Sequence, residues 1–350
     1  MQSVAVVGGG IIGLSVAWRL AQVGYSVSVF EKARIGMEAS WAAAGMLSPG
    51  GEFQEDSPLA RMAIESRDLY RAFVEELQST SGLAIDFQEA GALDVAYSAE
   101  EMEVLSKRAE RQATIGIPTK RISEEQAATF WPRLRKEGLV GGYFYPGDGL
   151  VDPRHMTAAL KVSCEKAGVK ISEQTEVRYI DLDGSGVTVD ELRHDAVVIA
   201  CGAWSGNLNV TGLPALPATE PIRGHMLGYK QPEQICHSIV RRDHTYMVQR
   251  ANGYFIVGAS TESAGFNRSI DQSTIADLEK KAAFLMPHLS ETSPTEVWNG
   301  LRPGSDELRV GQWHSERVYL AYGHHRNGIL LAPATARRLT KEISANLQTQ

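Results

Sequence analysis

The apolar positions of this chain change period repeatedly, and each change marks an element. Ser3–Val7 is a short β-branched run, the pattern of a strand buried on both faces. Residues 11–23 place Ile12, Val16, Leu20 and Val23 at helical spacing, and Gly24 supplies a stop. Ser26–Phe30 is a second strand, closed by Glu31. The N-terminal stretch therefore predicts strand, glycine-rich turn, helix, strand, acid. It is apolar but holds five glycines and Arg19, so it reads as a folded unit rather than a signal peptide or membrane span.

Farther on, 33–55 is a small-residue, glycine-rich loop. Ser57 caps a long helix with Pro58 in its first turn, and Met62, Leu69, Phe73 and Leu77 lie on one face. Residues 91–97 alternate as a strand. Ser98 with Glu101, and Ser123 with Gln126, have the spacing of capping boxes. Asp152-Pro153 opens a helix that Gly168 ends. Strands are expected at 175–181, 187–189 and 196–201. From 222 to 260 the chain is strand-rich, with Asn252-Gly253 as a hairpin turn. A helix over 273–286, a strand at Val318–Tyr322 and a last helix from Pro333 complete the pattern.

Composition narrows the function classes. The 350 residues carry a net charge of −7 with mixed signs, which excludes the basic footprint of a nucleic-acid binder and gives no polybasic patch for anionic lipid. Three widely spaced cysteines, Cys164, Cys201 and Cys236, make no CxxC pair. A zinc site or disulfide framework is not expected, and a reducing, cytoplasmic location is.

The chemistry begins at Gly8-x-Gly10-x-x-Gly13, which follows a strand and opens a helix. Gly8 permits the tight turn, Gly10 lets backbone approach a pyrophosphate, and Gly13 lets helix pack on sheet. The helix N-terminus then receives the phosphates. Glu31 stands where an acid should accept ribose hydroxyls, which disfavours a 2′-phosphate. FAD or NAD remains. The second small-residue loop at 33–45 and the late strand Val318–Tyr322 suit an extended cofactor held at both ends, favouring FAD.

Five segments carry a more specific likeness: VVGGGIIG at 6–13, AAAGML at 42–47, ACGAWS at 200–205, GLRPGS at 300–305 and GHHRNGILLAPAT at 323–335. In order and over essentially the whole chain, they resemble the D-amino-acid oxidase-like flavoprotein family, and the last two point to its glycine oxidase branch. The resemblance implies an α/β plus α+β fold. A Rossmann-like FAD domain from 1–82, 145–217 and 318–350 would be interleaved with a substrate domain from 83–144 and 218–317, the latter on a mixed or antiparallel sheet.

The same resemblance implies the site. Non-covalent FAD would lie against Gly8, Gly10, Ile11, Ile12, Gly13, Glu31 and Lys32. It would also meet Ala42, Ala43, Ala44, Gly45, Met46, Val177, Cys201, Gly202 and Trp204. From the C-terminal segment, Arg302, His325, Arg326, Asn327, Gly328, Ile329 and Leu330 would join, with the 328–331 backbone aimed at the flavin pyrimidine. Arg302 would clamp a substrate carboxylate through its planar fork, and Tyr246 would add a hydroxyl. Arg326 would contact substrate through side chain or backbone. His244, two residues from Tyr246 on the expected strand, shares its face and suits a supporting role more than direct chemistry.

The implied reaction is oxidation of glycine, with sarcosine or small D-amino acids as further substrates, by O2 to glyoxylate, ammonia and H2O2. It would serve thiamine thiazole biosynthesis in a homotetramer. The alternative is a dehydrogenase passing electrons to a quinone or carrier. No metal or nucleic-acid partner and no stable membrane association is implied. The chain departs from the family pattern at 306–311, which reads DELRVG without proline, and at Thr261 and His325. All three bear on pocket size and polarity.

Overall fold

The computed structural model describes residues 1–348. Its organising layer is a six-stranded sheet in the order Arg309–Gln312, Val318–Tyr322, Ala196–Ile199, Ser3–Val7, Ser26–Phe30, Lys170–Ser172. All pairs are parallel except the first, where Arg309–Gln312 runs against Val318–Tyr322. That edge strand lies just upstream of Val318–Tyr322 in sequence.

The expected double burial of Ser3–Val7 is visible residue by residue. Val4 and Val6 enter a core formed with helices Ile11–Gln22, Pro58–Ser81, Pro153–Lys166 and Gly328–Gln348. Ala5 and Val7 enter a second core on the opposite face, under a four-stranded sheet built from residues 180–211. A one-residue slip would exchange these faces, so the register is fixed by both cores.

A nine-stranded, mostly antiparallel sheet forms the other half. Its long strand Glu220–Tyr229 pairs with Glu296–Gly304 over nine positions, and with Phe255–Gly258 on the other side. Helix Gln272–Leu285 buries Ile275, Leu278, Ala282 and Leu285 in a core on this sheet. A short three-stranded sheet joins Met46–Leu47, Gly149–Val151 and Phe87–Gln88.

Several local expectations need correction. Residues 33–55 are not all loop: they contain helices Ala39–Ala42 and Pro49–Glu52 and strand Met46–Leu47. The long helix buries Ala63, Tyr70, Phe73 and Leu77, while Leu69 is only half-buried, so the stripe is rotated from the expected one. Ser123 and Gln126 form a complete capping box. At Ser98 only half forms: its hydroxyl accepts from Glu101 N–H, but the Glu101 carboxylate accepts from Tyr97 N–H and pairs with Arg242. The strand expected from 175 starts only at Ile180, because the Thr175 N–H is taken by the Glu31 carbonyl and those of Arg178 and Tyr179 by Asp190.

The last helix begins at Gly328, so Pro333 lies inside it. Proline removes one donor from the helical ladder and leaves the carbonyl four residues back without its partner. Here the Tyr70 hydroxyl donates to that Ile329 carbonyl at 2.5 Å. One position on, Ser66 Oγ donates to the Leu330 carbonyl and accepts from Ala334 N–H. Two side chains of the neighbouring helix thus repair the ladder, which lets the helix start at the cavity.

Candidate active site

One cavity of about 940 Å³ runs between the two halves, at the upper end of the usual range for ligand pockets. At one end lies the Gly8–Gly13 turn. Gly8 has φ +111°, and a Cβ there would strike the Ala200 carbonyl. A Cβ on Gly13 would strike the Gly8 carbonyl, so Gly13 packs behind the turn and is not itself on the cavity wall. Gly8, Gly10, Ile11 and Ile12 are on it. Helix Ile11–Gln22 has no side-chain cap and no acid in its first turn. Ile11 N–H is taken by Ser40 Oγ and Leu14 N–H by the Gly10 carbonyl, both at 3.0 Å, and among the described residues Ile12 N–H and Gly13 N–H have no partner. This is the donor array that a pyrophosphate requires.

Glu31 is buried on the wall, with Oε2 accepting from Gly9 N–H at 2.8 Å and Oε1 from Ala33 N–H at 2.9 Å. It braces the turn, and the second lone pair of each oxygen can still serve a ribose hydroxyl. Lys32 lies over the Trp204 ring at 3.2 Å from its centroid, and burial draws its ammonium below the usual range. Val177, Cys201, Gly202 and Trp204 line the same end. The Cys201 thiol, pushed up to about 12 by burial, is a packing group here.

Residues 42–46 line the middle of the cavity. Opposite them His325, Arg326, Asn327, Gly328 and Ile329 form the wall, whereas Leu330 points into the core. The first turn of helix Gly328–Gln348 also holds no acid. Two helix N-termini therefore meet one cavity. Its glycine cradle, free N–H arrays and ribose-distance acid fit a dinucleotide whose two ends both need anion stabilisation.

At the far end strand alternation assembles the reacting wall. Arg302 and Tyr246 come from different strands of the large sheet, and Gly224 leaves room for the guanidinium, since a Cβ there would strike it. Arg302 Nη1 donates to the Ser260 carbonyl at 3.1 Å. Its neighbours along the wall have carboxylates: Arg326 pairs with Glu52 at 2.8 Å and Arg241 with Asp94 and Asp148. Among the described residues no carboxylate pairs with Arg302. Burial lowers its guanidinium from the usual range, opposed by nearby Tyr246. The Tyr246 hydroxyl donates to Met226 Sδ at 3.3 Å, and burial raises its pKa. His324 is buried against Thr335 Oγ1 at 3.0 Å and held by burial at about 3. His325 is lowered to about 4 by burial and by the charges of Arg326 and Arg302. Both imidazoles are neutral at neutral pH.

His244 differs from expectation. It lies in an exposed two-residue turn after Asp243, whose φ is +51°, and not on the strand, which starts at Thr245. It still reaches the cavity rim. Sequence reasoning did not find Ser40, Glu52, Gly224, Met226 or Ser260. Only the Gly50-Gly51-Glu52 run gave a local sign, an acid beside glycines in a loop already suspected.

This arrangement defines a flavoenzyme, and the chain belongs to the FAD dependent oxidoreductase family, which matches residues 3–342. FAD is its cofactor. It is similar to the glycine oxidase of Geobacillus kaustophilus (strain HTA426), 35% identical over 341 residues that cover 95% of this chain and 90% of that protein. Crystal structures of glycine oxidase from Geobacillus kaustophilus and from Bacillus cereus ATCC 14579 superpose with TM-scores of 0.90 and 0.92. Identities are 33% and 29%, covering 97% and 99% of this chain and 95% and 98% of those chains. A bifunctional ThiO/ThiG protein of Synechocystis sp. is 31% identical over 97% of this chain and 51% of that protein.

Proposed function

We propose that the protein is an amino-acid oxidase that oxidatively deaminates glycine, with sarcosine and small D-amino acids as further substrates. The observation that carries this is Arg302: a half-buried guanidinium on the cavity wall, tied to a carbonyl and left without a carboxylate. A fixed cation of this kind is complementary to a ligand carboxylate, and its fork can take both oxygens.

Tyr246 can add a hydroxyl to the same carboxylate by exchanging its weak thioether contact. Because His324 and His325 stay neutral and Glu52 offsets Arg326, the reacting wall has one unmatched positive charge, suited to one carboxylate. Pinning that group fixes the direction of the substrate Cα and amine, which is the protein's main contribution to rate. Gly8–Ile12, Ala42–Met46 and Gly328–Ile329 would hold FAD, which supplies the two-electron oxidation of the Cα–N bond and delivery of electrons to O2. The balanced outcome for glycine, O2 and water is glyoxylate, ammonia and H2O2.

The likeness to glycine oxidases and to a ThiO/ThiG protein supports glycine as first substrate and a place in thiamine thiazole synthesis. This reading includes a cytoplasmic homotetramer, implied by the family resemblance and tested by mass measurement and cell fractionation. The deciding assay measures oxygen uptake and peroxide across glycine, sarcosine, D-alanine and D-proline. Equal peroxide and oxygen with glycine preferred is the expected result. Oxidation of glycine only with an added quinone or dye would establish the dehydrogenase instead.

A further inference from the structure

The strand Glu220–Tyr229 presents two faces with different duties. Gly224 and Met226 face the cavity, where they meet Arg302 and Tyr246. Arg223 and His225 face away, and both are buried. They converge on Glu262, which stands directly across the ladder from Arg223. Arg223 Nη2 donates to Glu262 Oε2 at 2.6 Å and Nε to the same oxygen at 3.1 Å. His225 Nε2 accepts from Asp271 N–H at 3.2 Å, which assigns the donor role to Nδ1, and Nδ1 donates to Glu262 Oε1 at 2.8 Å.

Ser260 joins the two faces. Its hydroxyl accepts from His225 N–H at 2.8 Å and donates to Glu262 Oε1 at 2.5 Å, on the far side of the wall. Its carbonyl accepts from Arg302 Nη1 on the cavity side. That carbonyl is the guanidinium's hydrogen-bond partner within the wall, and the hydroxyl fixes the segment that carries it. Burial would raise the Glu262 carboxyl, but hydrogen bonds from Ser260, Arg223 and His225 outweigh this and hold it below the usual range. The acceptor is therefore charged and its donors are fully committed.

The geometry points to Ser260, locked by Glu262 and His225, as the positioning residue of the Arg302 clamp. The network does not touch substrate. It determines where the guanidinium lies and so how well a carboxylate is met, since a group displaced by a fraction of an ångström loses much of its effect. The inference rests on the reading of Arg302 as a carboxylate clamp, and the experiment separates the two.

Flavin-loaded wild type, Ser260→Ala, Glu262→Gln, Ser260→Thr and Arg302→Ala are titrated with acetate, a carboxylate without an amine, read by perturbation of the flavin absorbance. KM and kcat for glycine are measured beside it. Ser260→Ala and Glu262→Gln should weaken acetate binding and raise KM by about tenfold, the effect of one lost hydrogen bond to a charged group. kcat should stay within about twofold in both. Ser260→Thr, which keeps the hydroxyl, should restore binding. If Arg302→Ala binds acetate as well as wild type, the clamp itself is wrong and the inference falls with it. If Arg302→Ala loses acetate while loaded Ser260→Ala and Glu262→Gln bind it normally, the clamp stands and the positioning role is overturned. Weaker acetate binding in these two variants, in a protein that does not oxidise glycine, would uphold the positioning role and remove only the assigned substrate.

Discussion

The nucleotide end and the reacting end of the cavity are built by opposite strategies. The first is local: Gly8, Gly10 and Glu31 lie in one strand–helix–strand unit, and the shape comes from backbone with side chains left out. The second is distributed. Tyr246, Ser260, Arg302 and Arg326 come from separate strands and loops, and each is fixed by a partner distant in sequence. A backbone cradle tolerates almost no added atom, whereas a side-chain wall tolerates changes that keep its charges and donors in place.

The contrast predicts different failures at the two ends. Arg302→Ala should give the largest loss, on the order of 3 kcal/mol or more than a hundredfold in kcat/KM for glycine, with flavin still bound. A loss below tenfold would break the distributed half of the comparison. Gly8→Ala should do the reverse. Its Cβ meets the Ala200 carbonyl, an overpacking of roughly 1–3 kcal/mol, so FAD retention should fall about ten- to a hundredfold while acetate binding by the loaded fraction is kept.

His324 is buried behind the reacting wall, and its effect is on stability. Its pKa is about 3 in the folded chain, against about 6.5 unfolded. Between these values the unfolded state binds more protons, so the stabilisation is complete above pH 6.5 and is lost as pH falls towards 3. Denaturant unfolding should show about 2 kcal/mol less stability at pH 5 than at pH 7 from this group. His324→Gln should remove that part of the difference, and an unchanged pH dependence in the variant would refute the assignment. The smallest effect is expected at His244. In its exposed turn, replacement by alanine should change kcat/KM by no more than about twofold. A tenfold loss would bring it into the wall.

The same contrast explains what the sequence discloses. The strand–turn–helix–strand–acid order is readable because its residues are contiguous and each has a backbone reason to be where it is. Arg302, Tyr246 and Arg326 share no period or spacing, and only family resemblance brought them together. Ser260 acts through its carbonyl, which every residue has, so nothing in the letter marks it. Pro333 marks a helix start by local propensity, yet Tyr70 and Ser66 satisfy the carbonyls at its break from another helix. His244 looked strand-bound because the turn at Asp243 contains no glycine or proline.

The most direct test is anaerobic titration of the purified, flavin-loaded protein with glycine. The visible flavin absorbance should bleach in proportion to glycine added, in wild type but not at the same concentrations in Arg302→Ala. A wild-type flavin that stays oxidised under excess glycine and under the other small amino acids, or bleaching of both proteins alike, would contradict the proposal that Arg302 holds an amino-acid carboxylate for oxidation.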